Sequence, residues 1–306
     1  MDTAYTLRRD ESVSAGIDRI LEGKIDAAIG HVDGGMDRHE TVHEVRKRCK
    51  EIRAALRLVR GVLPTYSAEN AHYRDAARRL SDIRDAQALV ETFDDHVTPA
   101  VESADALEAD RIAEVRATLV DRREALAAET DLDGRLAAVR RDLVEGRTRV
   151  DGLPIATDGF DAVAGGLRKS YKRARNRMAD AYADPDTERF HEWRKRVKYH
   201  RYHTRLLRHV RVEPMRARRG ELKTLSDLIG DEHDLAVFLE TMTEEERFDA
   251  DTRETLHEVS TRRRAELRRA GRPVGERLFV EDPDRLVDRM RGYWHATREY
   301  EPVVDD

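Results

Sequence analysis

The stretch HEVRKRCKEIRAALR at residues 43–57 returns as HEWRKRVKYHRYHTR at residues 191–205, and the two agree at eight of fifteen positions without a gap. The offset between them is 148 residues, close to half of the 306-residue chain. A second pair follows at an offset of 149, IRDAQALVETF at 83–93 and EHDLAVFLETM at 232–242. Lys24 and Lys172 are again 148 residues apart. Because several echoes recur in one order, we predict an internal duplication.

Both copies carry two parallel stripes at helical spacing. The apolar stripe of the first copy consists of Val42, Val45, Cys49, Ile52, Leu56, Val59 and Leu63. One residue further along lies a basic stripe, which is rotated by about 100° around the helix. It contains His43, Arg46, Lys50, Arg53, Arg57 and Arg60 in the first copy, and His191, Arg194, Lys198, Arg201, Arg205 and Arg208 in the second. Phe190, Trp193 and Val197 begin the second apolar stripe.

The composition favours an all-α fold, because Ala, Leu, Arg and Glu are good helix formers and only eight Pro interrupt them. We expect helices over residues 11–30, 39–62, 67–94, 103–150 (with a break around 130–134), 160–183, 187–210, 214–243, 250–270 and 283–297. The turn-forming stretch GLPIATDG at 152–159 indicates a junction. The prediction is therefore two pseudo-symmetric four-helix bundles from an internal duplication, over residues 1–157 and 158–306.

The charge is distributed unevenly along the chain, although the net charge is only −5. Residues 166–224 hold nineteen Lys or Arg against seven Asp or Glu, whereas residues 91–157 hold nine against sixteen. The single Cys49 excludes an internal disulfide, and no apolar run approaches the length of about 20 residues that spans a bilayer. We expect a cytoplasmic protein that does not insert into membranes.

The basic stripes favour an anion-binding groove over an ordinary solvated face. Exposed helix faces usually mix charges of both signs, and these stripes contain no carboxylate. Like charges that are packed beside a core repel one another and lose hydration unless an anion compensates them. Rows of Arg and Lys about 5 Å apart suit a ligand with repeating phosphate groups.

The sequence resembles the CHAD (conserved histidine α-helical domain) family over essentially its whole length. The resemblance is carried by the paired basic helices, by RDAQ at 84–87 and HDLAV at 233–237, by YKRAR at 171–175, and by the ending RLFVEDP…YW. It implies two helical bundles, a basic cavity or channel between them, and binding of inorganic polyphosphate or similar phosphate-rich anions. Some family members associate with polyphosphate granules, so granule association is a further expectation.

The resemblance also implies which residues bind polyphosphate. These are His43, Arg46, Lys50 and Arg53 in the first copy, His191, Arg194, Lys198 and Arg201 in the second, Arg57 and Arg205 at the ends of the rows, and Lys24, Lys172, Arg173 and Arg175 on the preceding helices. Cys49, Glu51 and Gln87 depart from the family pattern. The first-half counterpart of YKRAR, GKIDAAI at 23–29, keeps only Lys24, so we expect unequal contributions from the two copies.

Other functions remain open from the residues alone. The same helices could bind RNA or DNA, although few aromatic residues are available for base stacking. A phosphohydrolase or phosphotransferase would need a carboxylate cluster for magnesium, which the sequence does not display. The close pairs His39/His43 and His200/His203 are too small for a zinc site, which needs three or four ligands. We therefore expect binding without catalysis, no metal or cofactor, and a role for Asp85 and Asp234 in bracing arginines.

Overall fold

The computed structural model describes residues 5–245 and 247–299, in which helices and their connections are present and no β-strand occurs. The prediction of an all-α chain is confirmed. A π-helical turn, Phe93–Val97, follows α4, and a 3₁₀ turn, Arg208–Val210, follows α9. The α-helices are, in order, α1 (Val13–Asp33), α2 (Arg38–Leu58), α3 (Tyr66–Arg78), α4 (Ser81–Thr92), α5 (Thr98–Ser103), α6 (Ala109–Glu129), α7 (Leu132–Val150), α8 (Gly159–Ala183), α9 (Thr187–Leu206), α10 (Val212–Glu244), α11 (Ala250–Leu278) and α12 (Pro283–Glu299).

The segment 67–94, predicted as one helix, is instead two helices that are separated at residues 79–80. The guanidinium of Arg46 explains how the break is stabilised. Its Nη1 donates to the Ala77 carbonyl at 2.9 Å, near the end of α3, and to the Ser81 hydroxyl at 2.6 Å, at the start of α4. The Ala77 carbonyl, which accepts a backbone hydrogen bond from Leu80 at 3.3 Å, thereby gains a second donor from a neighbouring helix. The predicted break near 130–134 is confirmed between α6 and α7.

Helix α11 continues to Leu278, so the predicted end at residue 270 is wrong. The helix passes through Pro273, a residue that normally interrupts the hydrogen-bond ladder. The close packing of α11 against α8 and α9 outweighs the tendency of Pro273 to end the helix. Gly275 lies so close to α8 and α9 that an added Cβ would approach Met178 Sδ to 2.8 Å and Trp193 Cζ2 to 3.1 Å.

The helices pack in two comparable sets. Helix α2 packs against α1, α3 and, at one crossing, α9; helix α9 packs against α8, α10 and α2. The outer sides of these sets are covered by α7 on α1 and by α12 on α8. A second apolar cluster, away from this crossing, joins α4, α5 and α6 to α10 and α11. The predicted boundary at 157 and 158 falls between α7 and α8, and the division into two domains stays a prediction.

The contact between the sets is close. Gly166 on α8 lies against the end of α2, where an added Cβ would stand 1.9 Å from the Leu58 carbonyl oxygen. The apolar stripes of α2 and α9 are buried as predicted, including Val45, Cys49 and Trp193 at 0% exposure. The basic stripes therefore begin at the edge of the core. Within residues 5–245 and 247–299, no helix combines the length and apolarity needed to cross a membrane.

Candidate anion-binding site

Helices α2 and α9 begin in the same way, and this fixes where their basic stripes start. The carboxylate of Asp37 accepts hydrogen bonds from the backbone N–H groups of His39 and Glu40, and the carboxylate of Asp186 accepts one from Arg189. Such caps satisfy N–H groups that a helix leaves unpaired in its first turn. Since the neighbouring stripe is buried, each basic residue emerges beside the core rather than on the outer crest.

Lys50 and Lys198, at equivalent positions of the two copies, are electrostatic neighbours. Lys50 retains exposed surface, but protein surrounds its ammonium on most sides; burial, reinforced by Arg46 and Arg194, lowers its pKa to about 8. Burial also lowers the pKa of Lys198 well below its usual value, and Arg194 and Lys50 add to the effect. Neither lysine has a hydrogen-bond or ion-pair partner among the described residues. Asp85 acts on Lys50 and Asp234 on Lys198 through their charges, but the repulsion between cations and the loss of hydration outweigh both carboxylates.

The Arg residues one turn before these lysines are half-buried and braced. Arg194 Nη2 lies 3.6 Å from the Asp234 carboxylate, and its Nε is buried without a hydrogen-bond partner. Arg46 is held by the α3–α4 break, its Nε is likewise unpartnered, and the charge of Asp85 acts on it. The bracing role that we expected for Asp234 agrees with this ion pair. Each guanidinium keeps donor capacity for a further ligand.

His43 lies beside Arg84 of α4, at one end of the basic stripe. Burial and the charge of Arg84 lower the pKa of His43. The two residues line an open cleft of about 580 Å³, together with Asp37, His39, Glu40, Gln87, Glu91 and Arg123. Arg84 pairs with Glu91 at 2.7 Å, yet its Nη1 is buried without a partner.

His191 occupies the equivalent position of the second copy and contacts His233 of α10. Their Nδ1 atoms are 3.2 Å apart and their ring centroids 4.2 Å apart. Burial, with the charge of Arg194 next in size, lowers the pKa of His233 to about 3. Burial also lowers the pKa of His191. In the absence of an anion, both rings are therefore neutral near pH 7.

The outer residues of the stripes keep their cationic character. Arg53 Nε donates to the Asn70 amide oxygen at 3.3 Å, and Arg201 lies 3.5 Å from the Ser226 hydroxyl. The guanidinium of Arg57 stacks 4.0 Å from the centroid of the Tyr199 ring, across the α2–α9 crossing. Arg57 is only 8% exposed, and its Nη1 donates to the Arg53 carbonyl at 3.2 Å. Arg53 and Arg201 are partly exposed and extend the cationic surface from the central lysines, whereas Arg57 lies beneath that surface.

Arg205 and Lys24 are placed differently. Both pair with Glu51, which is 1% exposed: Arg205 Nη1 lies 2.9 Å and Lys24 Nζ 3.5 Å from its carboxylate. Arg48 adds a third contact to the same carboxylate at 2.9 Å. The family resemblance implied that Arg205 and Lys24 bind the ligand. The structure shows that an internal carboxylate compensates them.

The basic residues of α8 do not share one face. Arg173 is exposed, and the charges of Arg196 and Arg60 act on it, which places it on the side of the α2–α9 crossing. The charge of Lys172 instead helps to lower the pKa of Asp284, at the start of α12. Arg175 lies near Tyr171, one turn along α8. Of the three predicted residues, Arg173 is the one that the structure brings toward the central cations.

Arg84 and His233 were not predicted as site residues, although they lie beside His43 and His191. Each stands immediately before the aspartate of the second echo, at an offset of 149 residues. The second echo repeats the aspartate at positions 85 and 234, whereas the preceding residue differs between the copies. A role was therefore predicted for the aspartates alone. We call His43, Arg46, Lys50 and Arg84, with their counterparts His191, Arg194, Lys198 and His233, the central cationic cluster.

Carboxylate, imidazole and thiol side chains are the groups that could hold a metal ion. Within the part of the chain that the structure describes, no group of three or more His, Cys, Asp or Glu is arranged to hold a metal ion. Of the predicted close pairs, His203 contacts the Ala54 carbonyl and His200 contacts Arg218. These two imidazoles take part in packing contacts of the core.

Most of the sequence matches one family model. The model of the CHAD domain family matches residues 19–243, which include both basic helices and both echoes. The chain belongs to the CHAD family. The resemblance read from the motifs is thereby confirmed, and no curated protein matches the chain.

Two solved structures share the fold. The CHAD domain from the plant Ricinus communis is 21% identical, with a TM-score of 0.53 over 96% of this chain and 95% of that one. PptA from Streptomyces chartreusis is 16% identical, with a TM-score of 0.57 over 88% of this chain and 98% of that one. At these identities the comparison establishes the CHAD fold.

Proposed function

We propose that this CHAD protein binds inorganic polyphosphate, without catalysis, in a basic groove centred on the α2–α9 crossing. The observation that carries the proposal is the juxtaposition of Lys50 and Lys198, two cations from different copies that form no ion pair or hydrogen bond among the described residues and feel Asp85 and Asp234 only as nearby charges. Packing such charges together opposes folding, through both repulsion and lost hydration. A polyanion that lies between them offsets both effects.

The arrangement around the lysines fits a chain of phosphates. Arg46 and Arg194 flank the pair. Their Nε atoms are buried, so a phosphate would bind Arg46 Nη2 and Arg194 Nη1, which form no hydrogen bond with the described residues. Arg53 and Arg201 continue the cationic surface beyond the centre, and Arg57 lies buried beneath it at the α2–α9 crossing. Arg205 and Lys24 are left out of the proposed ligand set because Glu51 compensates them.

We also infer that the two halves arose by duplication. Glu44 pairs with Lys47 at 2.7 Å and with Arg48 at 2.8 Å on α2. Glu192, the counterpart of Glu44 on α9, pairs with residues 195 and 196 at 2.5 and 2.7 Å. Equivalent residues thus make equivalent ion pairs. A duplicated unit accounts for a groove that both copies line with the same residue types.

The proposal places the protein in the cytoplasm, where it would bind free polyphosphate or polyphosphate granules. The carboxylates nearest the cluster support binding rather than chemistry. Asp234 is occupied by Arg194, and Asp85 faces the charges of Arg46 and Lys50. A carboxylate committed to an arginine supports cation geometry and is not positioned as a general base.

The direct test is titration with polyphosphate of defined length at several salt concentrations. Affinity should fall steeply with salt, since phosphate contacts release counterions. Excess polyphosphate should displace RNA or DNA from the protein, but not the reverse. The double variant Arg46→Ala/Arg194→Ala, with helicity measured in parallel, should bind at least about tenfold more weakly. Unchanged affinity in the folded variant, or release of orthophosphate with magnesium present, would contradict the proposal.

The pKa of Lys50, about 8 in the free protein, makes binding pH-dependent on the alkaline side. Phosphate contacts should restore the pKa toward the ordinary value of about 10.4, so binding takes up protons between these two pH values. Affinity should therefore fall as pH rises from about 8 to 10, by up to about tenfold per pH unit for each lysine. The variant Lys50→Arg/Lys198→Arg stays protonated and should show a nearly flat profile over this range. An equal fall in both proteins would remove the lysines from the site.

A further inference from the structure

The two ends of the central cationic cluster differ at one pair of equivalent positions. In the first copy, His43 faces Arg84, whose charge does not titrate near neutral pH. In the second copy, His191 faces His233, with 3.2 Å between their Nδ1 atoms. Residues 84 and 233 are related by the 149-residue offset of the second echo. One end of the cluster thus has a fixed cation where the other has an imidazole pair.

We propose that Arg84 and His233 are ligand-binding residues at equivalent ends of the groove, and that His233 couples anion binding to proton uptake. This inference rests on the proposed function and concerns two residues that lie in the RDAQ and HDLAV motifs but outside the ligand set that the resemblance implied. It gives the His233 end of the site a charge that depends on pH near neutrality, whereas Arg84 at the equivalent position of the other end stays charged.

The geometry of the imidazole pair allows it to hold one proton readily. A separation of 3.2 Å between two Nδ1 atoms fits one N–H···N hydrogen bond, in which one ring donates and the other accepts. When a proton is added, the resulting imidazolium still donates to its neutral neighbour. The pair therefore gains one positive charge without a change in its contact.

The charged groups around the pair explain why the proton needs an anion. On α9, Arg194, Lys195 and Lys198 oppose a further positive charge on His233, and burial is the largest effect. Glu188 and Glu192 favour the charge on His191 but are outweighed. A phosphate group beside the pair would reverse this balance, because it neutralises the nearby cations and accepts hydrogen bonds from the imidazolium.

The other helices that pack against α10 direct their charges elsewhere. Glu232, next to His233, accepts contacts from Arg264 and Arg268 of α11 at 2.9 and 2.7 Å. His96 of the π-helical turn faces Asp231 at 3.6 Å. On α4, Arg84 and Asp85 act on His43 and Arg46 of α2. The charge of Lys50, on α2, helps to lower the pKa of Lys198 rather than that of His233. The imidazole pair is thus governed mainly by α9 and by the ligand.

The test is a titration with polyphosphate of defined length at pH 7.5 and pH 5.5, at constant ionic strength. The wild type should bind about tenfold more tightly at pH 5.5, corresponding to one proton taken up over part of this range. His233→Arg should bind at pH 7.5 as the wild type does at pH 5.5, and its pH dependence should shrink to less than about twofold. The reciprocal variant Arg84→His should acquire a stronger pH dependence.

Two further variants separate the possible outcomes. His233→Gln keeps a polar side chain without the proton, so it should lose the pH dependence without gaining affinity. His257→Arg adds a charge at an exposed position of α11 and should leave the pH dependence unchanged. If the wild type binds polyphosphate but His233→Arg keeps the full pH dependence, the inference is overturned and the proposed function stands. If the wild type binds at neither pH, both are overturned.

Discussion

The double variant Lys50→Met/Lys198→Met should bind polyphosphate at least about a hundredfold more weakly than the wild type, while being more stable. Contacts between a charged donor and an acceptor contribute about 1.5–3 kcal/mol each, so the loss of two corresponds to this factor or more. Stability should rise by about 1 kcal/mol, because an apolar side chain of similar size replaces a crowded cation that forms no ion pair among the described residues. Opposite changes in affinity and stability are expected of residues that serve binding at the expense of folding.

Lys47→Met/Lys195→Met is the matched control for this prediction. These lysines lie on the same two helices, at the same 148-residue offset, but they pair with Glu44 and Glu192, and their side chains are 43% and 38% exposed. Their replacement should reduce affinity by only a few-fold and should not raise stability. Urea unfolding and calorimetric titration measure the two quantities. Equal losses of affinity in both double variants would mean that net charge, rather than the central pair, determines binding.

Glu51→Ala should destabilise the protein by about 3–5 kcal/mol, the range observed when one partner of a buried ion pair is removed. The Glu51 carboxylate is 1% exposed and contacts Lys24, Arg48 and Arg205 at 3.5, 2.9 and 2.9 Å. Without it, three cations of α1, α2 and α9 would remain in one partly desolvated region. The midpoint of urea unfolding should therefore fall strongly.

Glu192→Ala provides the comparison for Glu51. Glu192 pairs with Lys195 and Arg196, but its side chain is 23% exposed and its partners lie on the same helix. Water can solvate the cations that its removal would leave, so the expected cost is about 1 kcal/mol or less. If both variants lose equally little stability, Glu51 does not hold α9 to α2 in the way that its contacts indicate.

The main helices and the position of the basic stripes were predictable because both rest on local periodicity. On α2 and α9, the apolar residues that repeat every three or four positions became the buried face, and the neighbouring residues became the cluster. The repeat in the sequence strengthened the prediction, since the same pattern surrounds Lys50 and Lys198, which are 148 residues apart. Periodicity thus located the centre of the site.

Features that depend on distant residues were not predictable. The break between α3 and α4 relies on Arg46 of another helix, and α11 passes Pro273 because Gly275 packs against α8 and α9. Spacing could not show that Arg205, unlike Arg201, pairs with a buried carboxylate. That carboxylate belongs to Glu51, which lies 154 residues away from Arg205 in sequence. Tertiary contacts therefore decide which members of a basic row remain uncompensated.

The central claim is that both halves contribute to a single anion site. Calorimetric titration of the single variants Lys50→Met and Lys198→Met with one medium-length polyphosphate tests it most directly. The account predicts one binding event per protein, which each variant weakens by about tenfold or more without changing the stoichiometry. Two independent events, with each variant removing one and leaving the other intact, would contradict it.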